Sequence, residues 1–94
     1  MAHDHDVCSD DPWNVNKKDE FTWVNGMTDP VVISQDGTNE WPFTLPSPID
    51  VAGRRSNHQP GRTDCGILDG LQGNYTYNVN TCPTRGNPRT VIIT

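Results

Sequence analysis

The stretch from Gly73 to Cys82 restricts the fold more than any other part of the chain. Tyr75, Tyr77 and Val79 alternate there with Thr76, Asn78 and Asn80. A period of two puts alternate side chains on opposite faces of a strand, so one face meets a core and the other meets water. Gly70 and Gly73 punctuate the start of this strand, and Pro83 closes it. Shortly afterwards Val91, Ile92 and Ile93 supply a second β-branched run within Arg89 to Thr94. The chain therefore ends in two strands joined by a polar loop.

Earlier segments carry weaker versions of the same signal. Val7 and Cys8 read as the start of a first short strand, after an acidic segment, residues 1–6, that reads as a flexible N-terminal tail. Asp10, Asp11 and Pro12 mark a turn. Trp13 and Val15 alternate with Asn14 and Asn16, and Phe21 and Trp23 share one face of the run to Val24. Lys17 to Glu20 connects these two runs, and Asn25 with Gly26 signals another turn. Val31 to Ser34 follows Pro30 as a strand, ended by Asp36 and Gly37. Pro42, Pro46 and Pro48 exclude a central strand between Trp41 and Pro48, so this segment reads as an extended loop over one end of the core. Ile49 to Ala52 and Cys65 to Leu68 read as short strands, with Gly53 to Asp64 a polar loop between them.

Composition agrees with this reading. At 94 residues the chain suits one domain, residues 7–94, and its 32% apolar content allows only a thin core of aromatic and β-branched side chains. Eight glycines and eight prolines favour turns, and no segment shows helical i, i+3, i+4 periodicity. A small domain of this kind gains from a cross-link. The expected fold class is all-β: a Greek-key β-sandwich of about seven or eight strands.

Charge narrows the function classes. The net charge of −5 argues against a nucleic-acid binder. No apolar run is long enough for a membrane helix, so no membrane insertion is expected. Residues 1–47 hold nine carboxylates against two lysines, whereas residues 48–94 hold five arginines against three aspartates. Such a split suits a protein partner or head-to-tail self-association. The start of the chain is acidic and histidine-bearing, without a leader pattern. Together with turn-rich composition and three cysteines, it leads to the expectation of a secreted or periplasmic chain whose leader has been removed. His3 and His5 are candidates to bind copper or nickel with the N-terminal amine, Met1, Ala2 and His3 having the spacing of an amino-terminal chelate, and Asn74, Tyr75 and Thr76 match a glycan sequon. No nucleophile–base set, phosphate-cradling glycine loop or paired zinc histidines can be placed, so no enzymatic activity is expected.

Two segments resemble the cupredoxin family. The first is the order Pro12, Trp13, Asn14, Val15, Asn16, Lys17, Lys18, Asp19, Glu20, Phe21, Thr22, Trp23, Val24, Asn25. The second is Gly73, Tyr75 and Tyr77 followed by Cys82, Pro83 and the final strand. The resemblance implies a cupredoxin-like sandwich with a blue-copper site at one pole, built from two histidines, one cysteine and usually a methionine. This chain departs from that pattern. Gln35, Asp36 and Gly37 follow the strand where the family keeps a histidine, Val79 stands where it keeps the cysteine, and Pro83 to Pro88 contains neither histidine nor methionine. The expectation is a degenerate cupredoxin-like domain with no copper and no other cofactor.

The same resemblance would gather Cys8, Cys65 and Cys82 at one pole. An odd cysteine count implies one disulfide and one free thiol. Cys65–Cys82 is the favoured pairing, since it would tie the two sheets together and contribute roughly 3 kcal/mol. Cys8–Cys82 is the second pairing. The alternative is copper or zinc held by Cys8, Cys65, Cys82 and His58. Loops at this pole would present Trp41 and Phe43 with Arg54, Arg55, Arg62, Arg85 and Arg89. Such a cationic, partly aromatic rim suits the acidic surface of a protein partner. The function expected is thus a non-catalytic binding or assembly module.

Overall fold

A computed structural model describes residues 3–8, 11–82 and 87–94. Eight strands form, and no helix occurs among the described residues. In chain order they are β1 (His3–Asp6), β2 (Trp13–Val15), β3 (Glu20–Asn25), β4 (Val31–Gln35), β5 (Ile49–Val51), β6 (Gly61–Gly66), β7 (Gly73–Val79) and β8 (Arg89–Ile93). They divide into a three-stranded sheet of order β1-β3-β6 and a five-stranded sheet of order β2-β8-β7-β4-β5. The two sheets pack face to face as a sandwich. Two edge strands run parallel to their neighbours, β1 beside β3 and β2 beside β8, and every other pairing is antiparallel.

Alternation explains which side chains enter the core. Trp13 and Val15, Phe21 and Trp23, Val31 and Ile33, Ile49 and Val51, Tyr77 and Val79, and Val91 and Ile93 are all buried. Removing such side chains from water supplies about 1.5–3 kcal/mol each before chain entropy is charged against it. The aromatic members meet edge to face. Trp23 lies 5.2 Å from Phe21, 5.3 Å from Phe43 and 5.7 Å from both Trp13 and Tyr77, centroid to centroid. These T-shaped contacts set the positive edge of one ring against the negative face of the next.

Strand register assigns the connections to two poles. The β3–β4 and β5–β6 connections share one pole, where the Arg54 amide donates to the Met27 carbonyl at 2.8 Å. The β1–β2 and β7–β8 connections reach the same pole and are joined by the Cys8–Cys82 disulfide. The opposite pole holds the β2–β3, β4–β5 and β6–β7 connections. There Phe43 bridges Ile67, and the Thr44 amide donates to the Gly66 carbonyl.

Three sequence expectations are corrected. The segment expected to be a flexible tail forms β1 from His3 onward and pairs with β3 along Phe21 to Val24. Its composition is polar, but His5 turns inward and stacks on Trp13 at 3.5 Å. The sixth strand begins at Gly61 and not at Cys65, because Gly61 to Gly66 pairs with Asn25 to Glu20. Cys65 therefore stands four residues along β6, about 13 Å from the pole of Cys82 at the usual strand rise. As a result Cys82 bonds Cys8, with Cα atoms 5.2 Å apart, and the expected Cys65–Cys82 link does not form. Cys65 remains a buried free thiol.

Candidate functional site

A tight, arginine-bearing hairpin at the disulfide pole is the candidate site. Two glycines fix its base by close backbone approach. A side chain at Gly53 would strike the Thr28 carbonyl, and one at Gly61 would strike the Ala52 carbonyl. Between them the Arg55 amide donates to the Gln59 carbonyl at 2.8 Å, and the Gln59 amide returns to the Ser56 carbonyl at 3.2 Å. The His58 amide donates to Ser56 Oγ at 3.4 Å. Asn25, fully buried at the end of β3, braces this base. Its Nδ2 donates to the carbonyls of Asp29, Val51 and Ala52 at 2.9, 3.4 and 3.3 Å. Its Oδ1 accepts the Met27 amide at 2.9 Å.

This scaffold brings Arg55, His58, Gln59 and Arg62 to the walls of an open groove of about 420 Å³, completed by Ala52 and Pro60. Its lining is rich in donors and contains no carboxylate. Arg62 Nη1 lies 3.0 Å from Asp4 Oδ1 on β1, with both side chains about half exposed. A larger open groove of about 490 Å³ occupies the opposite pole, where Lys17 and Lys18 face Asp19, Glu20, Asp64 and Asp69. Its four carboxylates outnumber its two lysines, so its net sign is negative.

The expected rim of seven residues is not one surface. Trp41 and Phe43 belong to the pole opposite the arginine hairpin. Phe43 is buried, and Trp41 packs against it at 5.0 Å while its Nε1 donates to the Leu45 carbonyl at 2.7 Å. The loop of three prolines thus folds inward as a lid on the core, because its two rings gain more by burial than by exposure. Arg89 is also buried, beside Tyr77, and offers nothing to a partner. Arg85 lies outside the described residues. Arg54, Arg55 and Arg62 remain exposed at the disulfide pole.

The alternative metal set is not assembled. Cys8 and Cys82 are bonded to each other, Cys65 is buried far along β6, and His58 projects from the exposed hairpin. Among the described residues no three histidine, cysteine, aspartate or glutamate side chains come close enough to hold a metal ion. His3 and His5 fall in β1, and the amino-terminal part of the expected chelate, residues 1–2, lies outside the described residues.

Two buried groups titrate away from their ordinary ranges. His5 sits between Trp13 and Trp23, and its Nε2 has no hydrogen-bond partner. Burial, aided by the charges of Arg89 and His3, lowers its pKa to about 4. Tyr77 is pushed up to about 12, chiefly by burial, against the opposing help of Trp13 and Arg89. Both are neutral near pH 7 and serve the core. Sequence reading missed His5, Asn25 and Gln59. Asn25 stood in a turn signal, His5 read as a tail residue able to bind copper or nickel and not as a core residue, and nothing local distinguished Gln59. Comparison with protein-family models, with curated proteins and with solved structures finds no match to this chain.

Proposed function

We propose that the chain is a non-catalytic, extracytoplasmic binding or assembly module, built on a cupredoxin-like Greek-key sandwich that has lost its copper site. The observation that carries this reading is the groove at the disulfide pole. Arg55 and His58 from the braced hairpin and Arg62 from β6 line it together, in a chain whose overall charge is −5. A local cationic cluster on an acidic protein selects short-range anionic partners. The strand order supports the fold part of the reading: successive strands cross repeatedly between the two sheets, as Greek-key connections do. The Cys8–Cys82 bond supports an oxidising, secreted or periplasmic setting.

The decisive experiment is a copper(II) titration of the oxidised protein, followed in the visible spectrum. The expected result is no intense thiolate band. One equivalent of tightly held copper with intense blue absorption overturns the reading. Sedimentation across a salt series is expected to show any self-association or partner association weakening as salt rises.

A further inference from the structure

We infer that the groove of Arg55, His58 and Arg62 is a carboxylate-recognition site for an acidic peptide segment of a partner protein, an inference that rests on the binding-module reading. The chain supplies its own example of the chemistry. Asp4 Oδ1 already sits 3.0 Å from Arg62 Nη1, approaching from β1 across the outer face of the three-stranded sheet. One carboxylate therefore occupies one arm of the cluster. Among the described residues no carboxylate pairs with Arg55 or His58, which line the remainder of the groove with the amide of Gln59. Guanidinium groups present planar forks of donors that match carboxylate oxygens, and each such charged hydrogen bond is about twice as strong as a neutral one.

Size and charge select among anions. The open groove of about 420 Å³ is large enough for one or two acidic side chains. A long polyanion would meet Asp4, Asp6 and Asp64 on the same face of the molecule, together with a net charge of −5. A short acidic segment brings its carboxylates to the arginines without extending over that face. The hairpin base also fixes the backbone that carries Arg55 and His58 before binding. Its backbone bonds and the Asn25 brace limit the ordering entropy that association would otherwise cost.

Asp4 makes the proposal specific. Removing its charge releases Arg62 to the groove, whereas removing an equal charge at the far pole changes only the net charge. The probe is a short glycine–serine peptide carrying consecutive glutamates, with its glutamine counterpart as control. Binding to the full, disulfide-intact chain is measured by calorimetry at low salt. The glutamate peptide is expected to bind and the glutamine peptide not to bind. R55A/R62A is expected to lose about tenfold or more in affinity. D4N is expected to gain about two- to fivefold, and D69N is expected to match the native chain. R55Q, confined to the exposed hairpin, provides a second loss-of-binding variant should the double variant fold poorly. Equal binding of the two peptides, unchanged affinity in R55Q, or equal gains in D4N and D69N overturns the inference. So does tighter binding of a sulfated oligosaccharide or a short single-stranded DNA than of the glutamate peptide. Failure here leaves the module reading standing, because that reading falls to the copper titration.

Discussion

The indole nitrogen of Trp13 donates a 2.8 Å hydrogen bond to the phenol oxygen of Tyr77, joining β2 to β7 beneath the intervening β8. Trp13 is 6% exposed and Tyr77 is 0% exposed, so water cannot replace either partner. The bond is therefore worth more for what its absence would leave behind than for its own net energy.

Replacing Tyr77 with phenylalanine strands the Trp13 donor in the core. The expected cost is about 1–3 kcal/mol, read as a fall in the urea midpoint with unchanged slope. Replacing Trp13 with phenylalanine as well removes the orphaned donor. The double variant is expected to lose less than the sum of the two single changes. Additive losses would show that the bond itself carries little.

His5 makes stability depend on acid. Its folded pKa of about 4 lies below the ordinary value of 6.5. As pH falls, the unfolded chain takes up this proton first, so stability declines between about pH 6.5 and about pH 4 and then levels. The expected loss is roughly 3 kcal/mol. Replacing His5 with phenylalanine keeps a ring on Trp13 and is expected to flatten this part of the profile in denaturation measured across pH. A variant profile parallel to the native one would assign the acid loss to other groups.

The cysteines make distinct predictions for thiol titration. The folded, non-reduced protein is expected to show no reactive thiol, because Cys65 is buried. Unfolding without reductant is expected to reveal one thiol. Reduction opens a closure between residues separated by 74 positions and is expected to cost roughly 4 kcal/mol. A C65S chain that still blocks no thiol after unfolding would agree with the Cys8–Cys82 pairing, whereas two free thiols would contradict it.

Replacing Gly61 with alanine is expected to destabilise the base of the hairpin. The added methyl meets the Ala52 carbonyl, so backbone must move. Overpacking of this kind costs about 1–3 kcal/mol, measurable as a lower thermal midpoint. The same change at Gly26, which faces open space, is expected to cost much less.

Much of the sandwich was legible in short-range pattern. Trp13 with Val15, Phe21 with Trp23, Tyr77 with Val79, and Val91 with Ile93 all turn inward as their alternation requires. This works because strand periodicity is a local property, set by backbone pleat and read over a handful of residues. The polar strand β1 escaped the same test. A sequence of His3, Asp4, His5 and Asp6 shows no apolar face until Trp13 and Trp23 are known to provide a ring-lined slot for His5.

Pairing across the fold belongs to a different level. From sequence alone came the strand segments, the excess of turns, the odd cysteine, and an arginine-rich second half. Tertiary structure decided where these meet. Shifting the start of β6 to Gly61 moved Cys65 away from the disulfide pole and left Cys8 to join Cys82. Burial of Phe43 and Arg89 dissolved the expected aromatic–cationic rim, and the β5–β6 turn gathered Arg55, His58 and Arg62 in its place. The physical reason is register. A strand's alternation is set by its own residues, but its pole-to-pole position is set by hydrogen bonds to neighbours distant in sequence, and every loop contact inherits that position.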